Sequence, residues 1–173
     1  YDRNGLVRDL YYPHVGQENH TVGATFRVGL WEDGGFVWLP EGWECEIGYL
    51  DETLVAQVVW THPGRGLRLT WHDTVDFHED VFLRKVTVCD TAGRKRHLRL
   101  FFGFDFNISG NDIGDTVALR PDSGCLVHYK HDRYFLVNAQ FCGRVGFDQI
   151  ATGNKKRHGF EGTWKDAEDG ILG

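Results

Sequence analysis

The sequence predicts an all-β fold, an antiparallel β-sandwich. Apolar and polar residues alternate with a period of two, as in strands with one buried and one wet face. Roughly ten such runs follow one another at short spacing, separated by turns rich in Gly, Asp and Pro. No sustained i, i+3, i+4, i+7 apolar pattern interrupts them.

A first strand is expected over 6–10, and Pro13 ends it. Residues 26–31 form the next strand. Asp33-Gly34-Gly35 turns that strand back into 36–39, a hairpin signal. Residues 44–50 and 53–60 are strands about the turn at Asp51-Glu52. The turn formers His62-Pro63-Gly64-Arg65-Gly66 lead into a long strand over 67–77. In it Leu67, Leu69 and Trp71 point one way, and Arg68, Thr70 and His72 the other. Strands over 81–88 and 97–106 flank the basic turn 91–96. Strands over 125–130 and 134–138 are joined by His131-Asp132-Arg133. One-sided strands of this kind imply two packed sheets.

The chain has 173 residues and a net charge of −6, from 19 Lys+Arg against 25 Asp+Glu. That balance argues against a nucleic-acid partner, which requires a basic face. No run approaches the roughly 18 apolar residues of a spanning helix, so no membrane partner is expected. The length suits one domain with a real core. Met is absent and the chain opens on Tyr1, so it reads as a fragment of a longer protein. The missing signal peptide then says nothing of secretion, and the compartment stays open, with the cytoplasm slightly favoured. Cys45, Cys89, Cys125 and Cys142 form no C-x-x-C; free thiols are expected, with a pair of disulfides open in a secreted protein.

Common nucleotide, nucleophile and metalloprotease motifs are absent. The densest polar cluster is Asp105-Phe-Asn107-Ile-Ser109-Gly110-Asn111-Asp112-Ile-Gly114-Asp115. Its oxygen-bearing residues at positions one, three and five, with Gly at six, look like the start of a calcium loop. Position twelve is Thr116 rather than Glu, so a loop held by Asx turns is expected and calcium is left open. A second cluster, 11–20, packs aromatic, amide, carboxylate and imidazole groups after Pro13, the groups that hold sugars or satisfy a neighbouring domain. Among six tryptophans, Trp43 in the loop after Pro40 is the best candidate for an exposed sugar platform. His72 and Asp76 share a strand face by spacing, but no metal is expected there.

The run Arg8-Asp-Leu-Tyr11-Tyr12-Pro13-His14-Val15-Gly16-Gln17-Glu18-Asn19-His20 resembles a signature at the start of bacterial and archaeal glucoamylase-type enzymes, glycoside hydrolase family fifteen. That family also holds glucodextranases and some trehalases. The resemblance continues through 105–115, Val127-His128-Tyr129-Lys130, Asp132-Arg133-Tyr134-Phe135 and Gly162-Thr163-Trp164-Lys165-Asp166-Ala167-Glu168-Asp169-Gly170. It implies an N-terminal supersandwich of the galactose-mutarotase-like type, incomplete here, so that residues 1–173 are part of one domain with open strand edges. The catalytic helical-ring domain that follows in the family lies outside this chain, as do its general acid and general base.

The resemblance thus implies a non-catalytic domain of an inverting α-glucoside hydrolase, without metal or cofactor. The domain would support the catalytic barrel and place a loop near the active-site rim. The loop expected to make that contact comprises Tyr12, Pro13, His14, Gly16, Gln17, Glu18, Asn19 and His20, with 112–116 and 164–169 as further contacts. By the same resemblance, His14 stands where that family often carries Tyr, so a stacking role is not expected of it. The expected partners are the protein's own catalytic domain or the rest of the sandwich, and an α-glucan or α-glucoside through the parent enzyme. The alternative is a stand-alone carbohydrate-binding module. A third reading, a mutarotase-like enzyme, would use His72 with Asp76, or His128 with a cross-strand acid. Starch, dextran and trehalose specificity are not separable from the sequence.

Overall fold

The structure, a computed structural model, describes residues 1–24, 26–153 and 163–173. It is all-β, made of antiparallel sheets that do not close into a barrel. β1 (Arg27–Glu32) and β2 (Gly35–Trp38) form a hairpin, and β7 (Leu98–Gly103) pairs with the other side of β1. Asp33 and Gly34 both take positive φ in the hairpin turn, as Asp-Gly favours. β3 (Glu44–Tyr49), β4 (Ala56–His62), β5 (Leu67–Val75) and β6 (Phe82–Asp90) make a four-stranded meander. β8 (Thr116–Arg120), β9 (Cys125–Lys130) and β10 (Arg133–Val137) make a third sheet, and β11 (Gln140–Phe141) pairs with β12 (Arg144–Val145).

The first two sheets are packed face to face as a sandwich. Val28 and Leu30 of β1 share one core with Val58 and Trp60 of β4 and with Leu67, Leu69 and Trp71 of β5. The Trp60 and Trp71 rings lie 5.5 Å apart. Each of these fully buried apolar side chains contributes about 2–3 kcal/mol. The alternation read from the sequence along β5 is the alternation observed, extended by Asp73, which is also buried. Arg84 pairs with Asp73 at 2.5 Å and stacks on the Trp71 ring, so the inward carboxylate has a cationic partner. All four cysteines are free.

A second core forms from Phe26, Phe106 and Ile108, with Val7, Leu10, Phe104, Phe135 and Val137 packed around it. It lies between the third sheet and the polar loops and supports the site described below.

Two expectations fail. Residues 6–10 are not a ladder strand. Leu6 enters the first core while Val7 and Leu10 pack on the second, so the segment bridges two clusters. Its backbone bonds run to loop partners, such as Phe26 N–H to the Val7 carbonyl at 3.1 Å and Leu6 N–H to the Asp2 carboxylate at 3.0 Å. Trp43 is not an exposed platform: it is only 8% exposed and belongs to the core. Its backbone N–H closes a tight turn on the Pro40 carbonyl, and the indole lies edge-on to His62 at 5.2 Å.

Candidate functional site

The loop of residues 11–22 closes at its base through an isolated bridge between Tyr11 and Asn19. Tyr12 N–H donates to the Glu18 carbonyl at 3.2 Å and His20 N–H to the Leu10 carbonyl at 2.8 Å. Beyond that neck, Pro13, His14, Val15, Gly16 and Gln17 form an exposed tip. Gly16 turns it with φ +83°, a conformation that a side chain disfavours.

The neck is held from within. Asn19 Oδ1 accepts from Thr21 N–H at 3.1 Å and Val22 N–H at 3.2 Å, and its Nδ2 donates to Asp9 at 2.7 Å. One side chain therefore substitutes for several ladder bonds that an irregular backbone cannot make. Hydrogen bonds from Arg8 and Asn19 hold the Asp9 carboxyl below the usual carboxylate range.

His20 is wholly buried. Its Nε2 lies 2.8 Å from the Tyr12 carbonyl, which can only accept, so Nε2 carries the proton. Its Nδ1 accepts the Ser109 N–H at 3.1 Å. The two bonds fix one tautomer. The ring packs on Phe135 at 4.7 Å, and Phe135 stacks on Phe106 at 4.9 Å.

The polar loop of residues 105–115 meets the same neck. Asn107 N–H donates to the His20 carbonyl at 2.7 Å, and Asn107 Nδ2 to the Thr21 carbonyl at 3.0 Å. Asn111 Oδ1 caps the turn by accepting from Ile113 N–H at 3.1 Å, the Asx geometry expected. The oxygen-rich arc of this loop is filled by a side chain. Lys130, almost fully buried, donates from Nζ to the carbonyls of Ile108 and Asn111 at 2.8 and 2.9 Å and to Asn111 Oδ1 at 2.8 Å. Asp115 Oδ1 balances the charge at 3.5 Å.

Glu18 and Arg133 complete the cluster. Arg133 grips Glu18 through Nε at 3.0 Å and Nη2 at 2.7 Å, 115 positions along the chain. The Arg133 hydrogen bond is the main reason that the Glu18 carboxyl lies below its ordinary value.

Three segments singled out in the sequence, 11–20, 105–115 and 127–135, thus form one site. Of the expected contact residues, Pro13, His14, Gly16 and Gln17 stand in the tip. Tyr12, Glu18 and Asn19 are half-buried in the neck, and His20 is its core. The sequence alone does not join Lys130, Arg133, Ser109 and Phe135 to the loop. Their presence in neighbouring motif segments was the one available signal.

The remaining candidates lie elsewhere. The 3-10 helix Thr163–Asp169 covers the outer face of β1 and β2; Gly162 falls outside the described residues. Trp38 Nε1 donates to Glu168 at 3.2 Å, and Arg27 lies 4.4 Å over the Trp164 ring. His72 lies 2.9 Å from the Gln57 amide, while Asp76 accepts the backbone N–H groups of His78 and Glu79. His128 packs on Phe106 at 4.7 Å. Among the described residues, no group of three or more His, Cys, Asp or Glu side chains is arranged to hold a metal ion.

No family model matches the chain, and no solved structure matches it. Over 169 residues, 97% of this chain, it is 27% identical to an uncharacterized glycosyl hydrolase of Methanocaldococcus jannaschii. Those residues cover 26% of that protein, so the chain spans about a quarter of the relative's length. The chain is therefore similar to a glycoside hydrolase over nearly all of its own length.

Proposed function

We propose that this chain is the N-terminal β-sandwich of a larger, glucoamylase-like α-glucoside hydrolase, that it is not itself catalytic, and that residues 13–17 face the neighbouring catalytic domain near its substrate rim. The observation that carries this reading is the division of labour in the loop. Glu18, Asn19 and His20, the groups with chemistry to offer, are engaged in holding the neck. The neck in turn presents a short exposed tip. Such construction suits presentation of a surface better than proton transfer, which needs a group free to reach the reacting atom. The similarity to a much longer glycosyl hydrolase supports a domain that works beside another one. β2, β3, β6 and β7 each pair on one side only among the described residues, and such edges fit completion of the sheets by further chain.

The test is alanine replacement of Pro13, His14, Val15 and Gln17 in the full-length protein, read on an α-glucan and on thermal stability. The expected result is a loss of kcat/KM with the stability of the sandwich retained. Unchanged activity and unchanged association of the two domains would refute the contact role.

A carbohydrate-binding module is the second reading. One observation favours it: Tyr129 and Tyr134 stack with their ring planes 16° apart on the outer face of β9 and β10. Maltooligosaccharide titration of the isolated chain separates the two readings, because only a module binds without its neighbour.

A further inference from the structure

The four-stranded sheet runs on past its core. The row Tyr49, Ala56, Asp73, Arg84 crosses all four strands on the core-directed face. Tyr1 covers the middle of that row, donating its hydroxyl to Asp73. Outside this cover, Tyr49 is 70% exposed; two pairs further out and on the same face, Val75 and Phe82 are also exposed. The β3–β4 and β5–β6 turns lie at this same end because the strands are antiparallel. They carry Leu54, 88% exposed, and Phe77, 92% exposed. Four strands span about 14 Å, so these exposed apolar residues gather at one end of the sheet rather than being scattered over the molecule.

The surround has one sign. Asp51, Glu52, Asp76, Glu79 and Asp80 are all exposed on the two turns, and residues 49–55 and 75–83 contain no Lys or Arg. Of the next two residues, Arg84 is committed to Asp73, and Lys85 lies on the opposite face of the sheet. An apolar centre with an acidic rim repels an anionic membrane and repels its own copy, because two such rims would meet. The exposed basic turn of this chain, Arg94 and Lys95, offers a second copy charge without an apolar centre.

We infer that this end of the sheet is a docking surface for a folded protein partner whose contact face is an apolar ridge flanked by Lys and Arg. The apolar side chains supply the buried centre, and the carboxylates select the partner and speed encounter. The surface is separate from the loop tip at 13–17 and stands whether or not that tip touches a catalytic domain.

The probe is a fluorescent helical peptide of alternating Leu and Lys blocks, with a matched Leu–Glu peptide as control, titrated into the chain by anisotropy. Binding of the Lys peptide alone is expected. It should weaken at least tenfold in L54S/F77S and, separately, in D76N/E79Q/D80N, and weaken with salt in the wild type. All five positions are exposed, and far-ultraviolet circular dichroism confirms the fold of each variant. Three results would overturn the inference: no binding of the Lys peptide, equal binding by both variants, or a wild-type dimer in sedimentation that L54S/F77S abolishes, which would make the occupant a second copy.

Discussion

Nζ of Lys130 donates to Oδ1 of Asn111 at 2.8 Å, inside the loop whose oxygen spacing resembles a calcium site. The loop is closed around an ammonium group carried on the next sheet. Three acceptors and the Asp115 carboxylate surround that one cation.

Replacing Lys130 by Met removes the donor but leaves the acceptors. The Ile108 and Asn111 carbonyls lose their partner in a buried setting, which costs about 2–4 kcal/mol. The urea midpoint should fall with the m-value unchanged. In the wild type, added calcium should leave the melting temperature where it is; a rise would show that the metal displaces the ammonium.

His20 should report its tautomer directly. Nitrogen-15 spectra are expected to show Nε2 protonated and Nδ1 bare, because the Tyr12 carbonyl and the Ser109 N–H demand it. His20→Ala removes both bonds and the contact with Phe135, at a cost of about 3 kcal/mol. Amide exchange should rise in both loops together, since Asn107 and Ser109 bond to the same residue.

The Glu18–Arg133 pair predicts an acid-side effect. The Glu18 carboxyl titrates lower in the folded chain than in the unfolded chain, chiefly through the Arg133 hydrogen bond. Its contribution is therefore present above the unfolded value of about 4.3 and is lost as pH falls through the lower folded value. Wild type should exceed Glu18→Gln in stability at neutral pH, and the two should converge once pH has fallen below the lowered folded value. A gap that persists at low pH would contradict the assignment.

Gly170 is a packing position. Its φ is +90°, and a Cβ there would lie 2.6 Å from Nε1 of Trp31. Gly170→Ala should destabilise the 3-10 helix docking by about 2 kcal/mol and change the Trp emission. Gly16→Ala, where the space is open, carries only the backbone cost of about 1 kcal/mol.

Much of the fold is legible along the chain because strand alternation is local. β1 to β7, β9 and β10 all fall within or beside the runs that the pattern marks. β11 and β12 are two residues each, too short for a period to show. β8, Thr-Val-Ala-Leu-Arg, lies directly after the oxygen-rich loop and outside those runs. Residues 6–10 have strand composition, but their side chains serve two cores and their backbone serves loops. Trp43 has a loop's neighbours in sequence and a core's neighbours in space.

The all-β class, the buried face of β5 and the segments that carry the family resemblance can all be read from short windows of the chain, since strand alternation and motifs are local. No window shows that Glu18 meets Arg133, that Ser109 meets His20 or that Lys130 fills the loop of residues 105–115; those meetings appear once the chain is folded. These contacts join positions 19 to 115 apart: β9 and β10 lay Lys130 and Arg133 against loops from two other parts of the chain, and those two loops meet each other at His20 and Ser109. Such register between distant segments is set by packing around Phe106 and Phe135, which no local pattern encodes.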